Sequence, residues 1–176
     1  MSAPAPIDRG AFASLVTEHQ HRLFALVLMM VRDPAGADDV TQEAFIRAYR
    51  HFDRYDSRRP FYPWLATIAV RLAQNWLRGR GRVARREGTA LDEAPIPPAA
   101  GDALVGLIAG ERDRRLWRAV AALPSGERTA VYMHYRQDLK VAEVASALGV
   151  TTGTVKTLLF RARRKLRQTV AREDTA

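Results

Sequence analysis

VAEVASALGVTTGTVKTLLF, residues 141–160, carries a small residue, a turn glycine and an apolar residue at the spacing of a helix-turn-helix. Ala145 is small where two helices must approach closely. Gly149 can take a positive φ without Cβ strain. Thr151 is placed to cap the second helix, and Val144, Leu148, Val150, Val155 and Leu158 to fill the angle between the pair. Each feature has a separate physical reason, so their coincidence outweighs any one of them. An ordinary helical hairpin requires no such pattern.

The second helix of this motif has a basic outer surface. From Thr151 to Gln168 there are six lysines and arginines and no acid. Thr152 and Thr154 lie at the helix N-terminus, where free backbone N–H groups favour phosphate. Lys156 follows one turn on. In a major-groove pose Thr152, Thr154 and Lys156 approach base edges, while Arg161, Arg163 and Arg164 meet phosphates or bases. A charged, solvated face is the bland alternative, which the preceding motif disfavours.

Before the motif, Lys140 opens its short first helix. A helix capped by Ser125 is expected through about Tyr135, and another over Ala103 to Ala122, stopped by Leu123-Pro124. Upstream of these, EGTALDEAPIPPAAGD (87–102) holds three prolines, two glycines, four acids and no basic residue. Proline resists helix continuation, so this is a domain boundary, read most simply as a solvated tether. The N-terminal part is helical again. Phe12, Leu15, Val16, His19, Leu23, Leu26 and Met30 recur at spacings of three and four. Asp33 and Pro34 read as N-cap and first residue of a second helix to about Tyr49, burying Ala37, Val40, Ala44 and Ala48 with Phe45 beside them. HFDRYDSRRP (51–60) reads as an exposed loop. A third helix is expected from Pro63 to Arg80, fraying at Gly79 and Gly81.

Composition narrows the function. The 176 residues include 28 lysines and arginines against 19 acids, a net charge of +9. That favours polyanionic partners, nucleic acid before membrane surface. There is no cysteine, so no disulfide and no thiolate zinc site. The longest apolar run, Leu23 to Val31, is too short to span a bilayer and reads as a buried helix; membrane insertion is not expected. The first residues lack the basic start and apolar core of a signal peptide. No nucleotide loop, metal motif or matched histidine cluster is present, so no cofactor, metal site or catalytic residue is expected.

The N-terminal module has its own nucleic-acid signal. Phe52, Tyr55, Phe61, Tyr62 and Trp64 are interleaved with Arg54, Arg58 and Arg59, and Arg71 and Arg78 follow. Flat rings with positive charge suit exposed bases and phosphates, although such a cluster is more often core. Asp38, Asp39 and Glu43 are acids near a helix start. They suit the helix dipole locally or a protein-docking surface.

Taken together these segments resemble an extracytoplasmic-function (ECF) sigma factor of the sigma-70 superfamily, over roughly residues 11–168. DPAGADDVTQEAFIRAYRHF from Asp33 is similar to the family's polymerase-binding segment. FYPWLATIAVRLAQNWLR from Phe61 resembles the portion that captures the promoter −10 element. LPSGER from Leu123 and GVTTGTVKTLLFRARRKL from Gly149 resemble the −35-reading region. The resemblance implies polymerase contacts at Asp39, Gln42, Glu43 and Phe45. It implies −10 contacts at Phe52, Tyr55, Arg58, Arg59, Phe61, Tyr62, Trp64, Arg71, Asn75 and Arg78, and −35 contacts at Thr152, Thr154, Lys156, Arg161, Arg163 and Arg164. The chain departs at Val70-Arg71, where the family commonly has Arg-Asn, and at Phe160, where a polar residue is frequent.

The expected architecture is all-α: two small helical domains, 11–86 and 103–170, joined by a Pro-rich linker at 87–102. The expected function is a non-enzymatic, cytoplasmic bacterial sigma factor, nucleoid-associated when active. Its expected partners are core RNA polymerase, promoter DNA (duplex and locally single-stranded) and an anti-sigma factor. A stand-alone helix-turn-helix regulator and a nucleic-acid enzyme are the alternatives.

Overall fold

The computed structural model describes residues 9–86 and 111–173, so the linker expected at 87–102 and the start of the helix expected from Ala103 lie outside the described residues. The described chain is helical throughout, with no strand among these residues, in two modules of small helices.

Helix α1 covers Arg9–Val31. Its C-terminal run is apolar on every side, and a helix of that kind must be covered on every side. From Leu23 to Val31 all residues but the half-buried Phe24 are buried. Two of the covers come from the same module, α2 (Pro34–Arg50) and α3 (Phe61–Arg86). The third comes from the other module.

Arg32, at φ 58°, turns the chain out of α1. Asp33 then caps α2, its carboxylate accepting from the Ala35 and Gly36 N–H groups at 3.1 and 3.3 Å, with Pro34 in the first helical position. Ala37, Val40, Ala44 and Ala48 are buried along one stripe and Phe45 is half-buried beside it, as the periodicity predicts. The connection 51–60 is less of an open loop than its polarity suggests. It contains a 3-10 turn at Phe52–Arg54, and Phe52, Tyr55 and Asp56 are half-buried. Helix α3 starts two residues before Pro63 and runs six beyond Arg80. Glycine costs a helix only about 1 kcal/mol, so Gly79 and Gly81 do not end it.

In the second module α4 covers Glu111–Ala121 and α5 covers Ser125–Val131. Ser125 is the first residue of α5 rather than its cap; Pro124 holds the N-cap position without a side-chain bond. The helix does not continue unchanged to Tyr135. It widens into a π turn at Tyr132–Arg136, closed by Gln137 N–H on the Tyr132 carbonyl and Leu139 N–H on the Met133 carbonyl, both 3.0 Å. Helix α6 covers Val141–Leu148. Lysine has no side-chain acceptor, so its start is secured from one side only, by Glu143 accepting the Lys140 N–H at 2.8 Å.

Gly149 turns the chain at φ 70°, and the Val150 N–H closes back onto the Ala145 carbonyl at 3.1 Å, the 6→1 bond of a Schellman turn. Thr151 accepts the Thr154 N–H at 3.1 Å and caps α7, Thr152–Glu173. Val144, Ala145, Val155, Leu159 and Ala162 fill the angle of the motif. Val150, expected there, is 39 % exposed because it belongs to the turn.

The modules touch. Helix α6 packs on α3 and α5 packs on α1. Arg128, buried on α5, donates to the Met29 carbonyl at 3.1 Å and the Leu123 carbonyl at 2.8 Å.

Candidate nucleic-acid and protein interfaces

The outer surface of α7 is uncovered. Thr152, Thr154, Lys156, Arg161, Arg163 and Arg164 are all exposed. Helical spacing divides them. Thr152, Lys156 and Arg163 lie in one stripe with Phe160 and Arg167, while Thr154 and Arg161, seven residues apart, share the opposite flank. The Thr154 hydroxyl is engaged with that of Thr151 at 2.9 Å, so it is oriented by the cap. Phe160, 59 % exposed, lines a shallow depression with Arg163, Arg164, Arg167 and Gln168. Helical spacing places Phe160 on this stripe, although it is not among the −35 contacts that the family resemblance implies.

On α3, Arg71, Asn75 and Arg78 are exposed and recur every three to four residues behind the half-buried Trp64 and Ile68. Arg78 donates to the Asn75 side-chain oxygen. This face leads back to an aromatic group at the start of the helix. Tyr55 and Trp64 lie with ring centroids 5.3 Å apart at 37°, and Phe52 and Tyr55 at 5.5 Å. These three rings are half-buried and retain exposed surface.

Phe61 and Tyr62 are placed differently. At 6 % and 3 % exposure their rings are covered. Phe61 is the hub of the cluster, against Tyr55 at 5.3 Å, Trp64 at 5.6 Å and the stacked His19 at 5.6 Å. Tyr62 lies beneath Arg22, whose guanidinium is 3.6 Å from the ring centroid. In this arrangement both hold their neighbours in place and offer no open face to a base.

Arg58 and Arg59 are exposed at the loop tip and flank Asp56, at 2.8 and 3.9 Å. The hydrogen bond from Arg58 holds the Asp56 carboxyl down at about 2. Asp56 therefore stays charged and offsets part of the local positive field. It also accepts the Arg58 N–H at 3.1 Å, which fixes the bend of the loop.

A third feature is a groove between α1 and α2. Val16, Phe24, Phe45 and Ile46 supply apolar surface, and Asp38 and Gln42 form part of its polar lining, joined by a 2.8 Å bond from the Gln42 amide. Two of the expected polymerase residues, Gln42 and Phe45, line it. Asp39 and Glu43 do not; Asp39 is exposed on the next face and Glu43 pairs with Arg47 at 2.6 Å. Phe24 and Ile46 are apolar neighbours that the acidic pattern did not reveal.

Among the described residues no group of His, Asp and Glu is arranged to hold a metal ion, and no helix is long and apolar enough to cross a membrane.

A basic helix-turn-helix tied to an aromatic, arginine-bearing helical module defines a DNA-binding protein of transcription. Residues 15–83 match the family model Sigma-70 region 2, and residues 113–166 match Sigma-70, region 4. The chain is 33 % identical over 164 residues to the RNA polymerase sigma-H factor of Pseudomonas aeruginosa, covering 89 % of this chain and 84 % of that one. It is 31 % identical over 170 residues to the ECF RNA polymerase sigma factor SigW of Bacillus subtilis, covering 92 % and 89 %. Its fold is similar to that of the sigma factor RpoE solved with the anti-sigma factor NepR from Bartonella quintana, with a TM-score of 0.74 and 21 % identity over 92 % of this chain and 97 % of that one. The chain belongs to the ECF family of sigma-70 factors. It is accordingly a non-catalytic, DNA-binding protein of transcription initiation.

Proposed function

We propose that this protein binds core RNA polymerase and directs it to promoters by recognising a −10 and a −35 element. The observation that carries the reading is the pair of uncovered basic faces. One is the α7 stripe of a helix-turn-helix, suited to a duplex major groove. The other runs from the half-buried rings of Tyr55 and Trp64 along Arg71, Asn75 and Arg78, suited to unstacked bases and their phosphates.

The division of labour follows from chemistry. Polymerase supplies nucleotide transfer. This chain supplies binding energy and the surface that holds a strand open. Unpairing costs a few kcal/mol, and base–aromatic stacking returns about 1–3 kcal/mol per base. Phe52, Tyr55 and Trp64 are the rings placed to stack; Phe61 and Tyr62 support them from the core; Arg58 and Arg59 steer phosphate from the loop. Thr152, Lys156 and Arg163 approach one groove edge, with Thr154, Arg161 and Arg164 towards the backbones. The α1–α2 groove suits a helical element of the polymerase, apolar against Phe24, Phe45 and Ile46 and polar against Asp38 and Gln42. Asp39 and Glu43 sit beside it for basic groups of the same partner.

The domain division is 11–86 and 103–170, in keeping with the two matched regions. The RpoE relative was solved with an anti-sigma factor, which supports an anti-sigma partner here. The proposed setting is the bacterial cytoplasm, on the nucleoid when active.

Two experiments test the reading. The protein should co-purify with core RNA polymerase, and the reconstituted complex should initiate at sites mapped after induction of the protein in cells. A stand-alone regulator would bind duplex DNA without joining the polymerase, and that result overturns the proposal.

A further inference from the structure

The flank of α7 that carries Thr154 and Arg161 has one more cation on it. Lys165 follows Arg161 by one helical turn. Of the six lysines and arginines between Thr151 and Gln168, five are exposed and Lys165 is half-buried. Lys165 is also the one of the six in an ion pair among the described residues. Its Nζ donates to Glu127 Oε1 on α5 at 2.9 Å.

The two partners are unequal. The Glu127 side chain is 8 % exposed and the Lys165 side chain 42 %. The second carboxylate oxygen, Oε2, is buried and has no partner among the described residues. A buried carboxylate stripped of its counter-charge is strongly destabilised, so Glu127 does not give up the Lys165 ammonium readily. Salt does little to loosen the pair, because a partly buried pair is screened far less than a surface one. Lys165 itself still reaches the surface, and without Glu127 its ammonium would extend the row begun by Arg161.

Building on the function proposed above, we propose that Glu127 limits how strongly the reading helix grips the DNA backbone, by holding Lys165 away from phosphate. Glu127 is a positioning residue: it touches no DNA and acts through Lys165. Phosphate contacts add affinity without reading sequence. Each one on B-DNA steepens the fall of log K with log salt by about 0.9. The bland alternative is that the pair only relieves repulsion between Arg161 and Lys165, four residues apart on one face. In that case its loss changes stability and leaves the salt slope alone.

Glu127→Gln keeps the shape and an acceptor oxygen but removes the charge, so phosphate outcompetes the amide for Lys165. Circular dichroism checks that the variant folds. Titrations across salt of a −35 duplex and a random-sequence duplex should give slopes steeper than the parent's by about 0.9. Binding at low salt should strengthen by about threefold or more, alike for both duplexes. Glu127→Gln/Lys165→Met should return to the parent slope. The chain has three lysines, Lys140, Lys156 and Lys165, so single-hit amine acylation read by mass spectrometry resolves each. Adding duplex should slow acylation of Lys156 and leave Lys165 unchanged in the parent, and should slow both in Glu127→Gln. An unchanged slope in folded Glu127→Gln overturns the proposal, as does duplex protection of Lys165 in the parent; the second result decides even where the variant does not fold. If duplex slows neither lysine, the reading of α7 has failed and the proposal falls with it. If Lys156 is protected and the slope is unchanged, the role given to Glu127 has failed and the reading of α7 stands.

Discussion

Gly36→Ala is the substitution whose outcome the structure constrains most tightly. Gly36 is the third residue of α2, and the Trp76 indole occupies the place of its missing side chain. An ideal Cβ there would lie 2.3 Å from Cζ2, 2.7 Å from Cε2 and 3.0 Å from Cη2 of the ring. The ring is also held by a neighbour. The Arg80 guanidinium is 4.8 Å from its centroid and also bonds Asp33, the α2 cap, at 2.9 Å. Two effects oppose each other. Alanine over glycine favours a helix interior by about 1 kcal/mol, and by less in a first turn. Overpacking costs about 1–3 kcal/mol, and displacing the indole also weakens a cation–π contact worth about 0.5–1 kcal/mol. The expected net is a loss of about 1–2 kcal/mol. At about 2–4 °C per kcal/mol for a chain of this size, Tm should fall by about 2–8 °C. Thermal and urea denaturation followed by circular dichroism measure it. In a Trp76→Ala background the clash is gone, so Gly36→Ala should be neutral or stabilising by up to about 1 kcal/mol. A variant as stable as its parent, or an equal loss in both backgrounds, would refute the packing argument.

Three further outcomes are expected. Lys156→Ala should weaken duplex −35 binding; if Lys156 meets phosphate, the loss should be sequence-independent and the salt slope should fall by about one, measured by titration at several salt concentrations. Trp64→Ala should slow promoter opening by roughly tenfold, from the loss of one stacked base, while −35 duplex binding stays unchanged; fluorescence of a base analogue in the melted strand reads it. His19 is packed against Phe61, and burial lowers its pKa from 6.5 despite the opposing charge of Glu18. Its folded pKa lies below its unfolded value, so acidification favours the unfolded state: stability should decline as pH falls below about 6.5 and level off beneath the folded pKa. Urea titrations at stepped pH should show that decline, flattened in His19→Gln.

The helix-turn-helix was legible in sequence because each of its requirements is local. Gly149 must turn left-handed, Thr151 must reach the Thr154 N–H, and Ala145 must be small, so residue type alone reports geometry. The start of α2 was legible for the same reason, in Asp33 and Pro34. The apolar run from Leu23 could be read as buried, but not what buries it, because a helix apolar all round names no partner. Phe61, Tyr62 and Trp64 looked equivalent in sequence. Only the packing of His19 and Arg22, some 40 residues earlier, closes off the first two and leaves the third half-open. Phe24 and Ile46 were invisible as groove residues, since an apolar residue at helical spacing reads as core until its neighbours are placed. The length of α3 was underestimated because glycine weakens a helix by an amount that the rest of the segment can offset.

The long helices of the N-terminal module carry separate tasks on separate stripes, and this has a consequence for how variants combine. On α3, Leu65, Ala69 and Leu72 face the module's own core, with Trp76 half-buried alongside them; Ala66, Val70 and Gln74 lie towards α6; Arg71, Asn75 and Arg78 face outward. On α1, Leu23, Leu26 and Met30 face inward, Ala25 and Met29 lie towards the second module, and Val16 and Phe24 line the groove. Stability, packing between the modules and partner binding therefore draw on different side chains of the same helices. Sites without shared partners combine additively to within about 0.5 kcal/mol. Arg22→Ala/Gln137→Ala, which removes a 2.8 Å hydrogen bond between the modules, should thus leave the effect of Lys156→Ala on −35 duplex binding unchanged, because that contact and the α7 stripe share no residue. A marked departure from additivity on the −35 duplex would mean that the contact between the modules reaches the reading helix through the Ala145–Val155 packing.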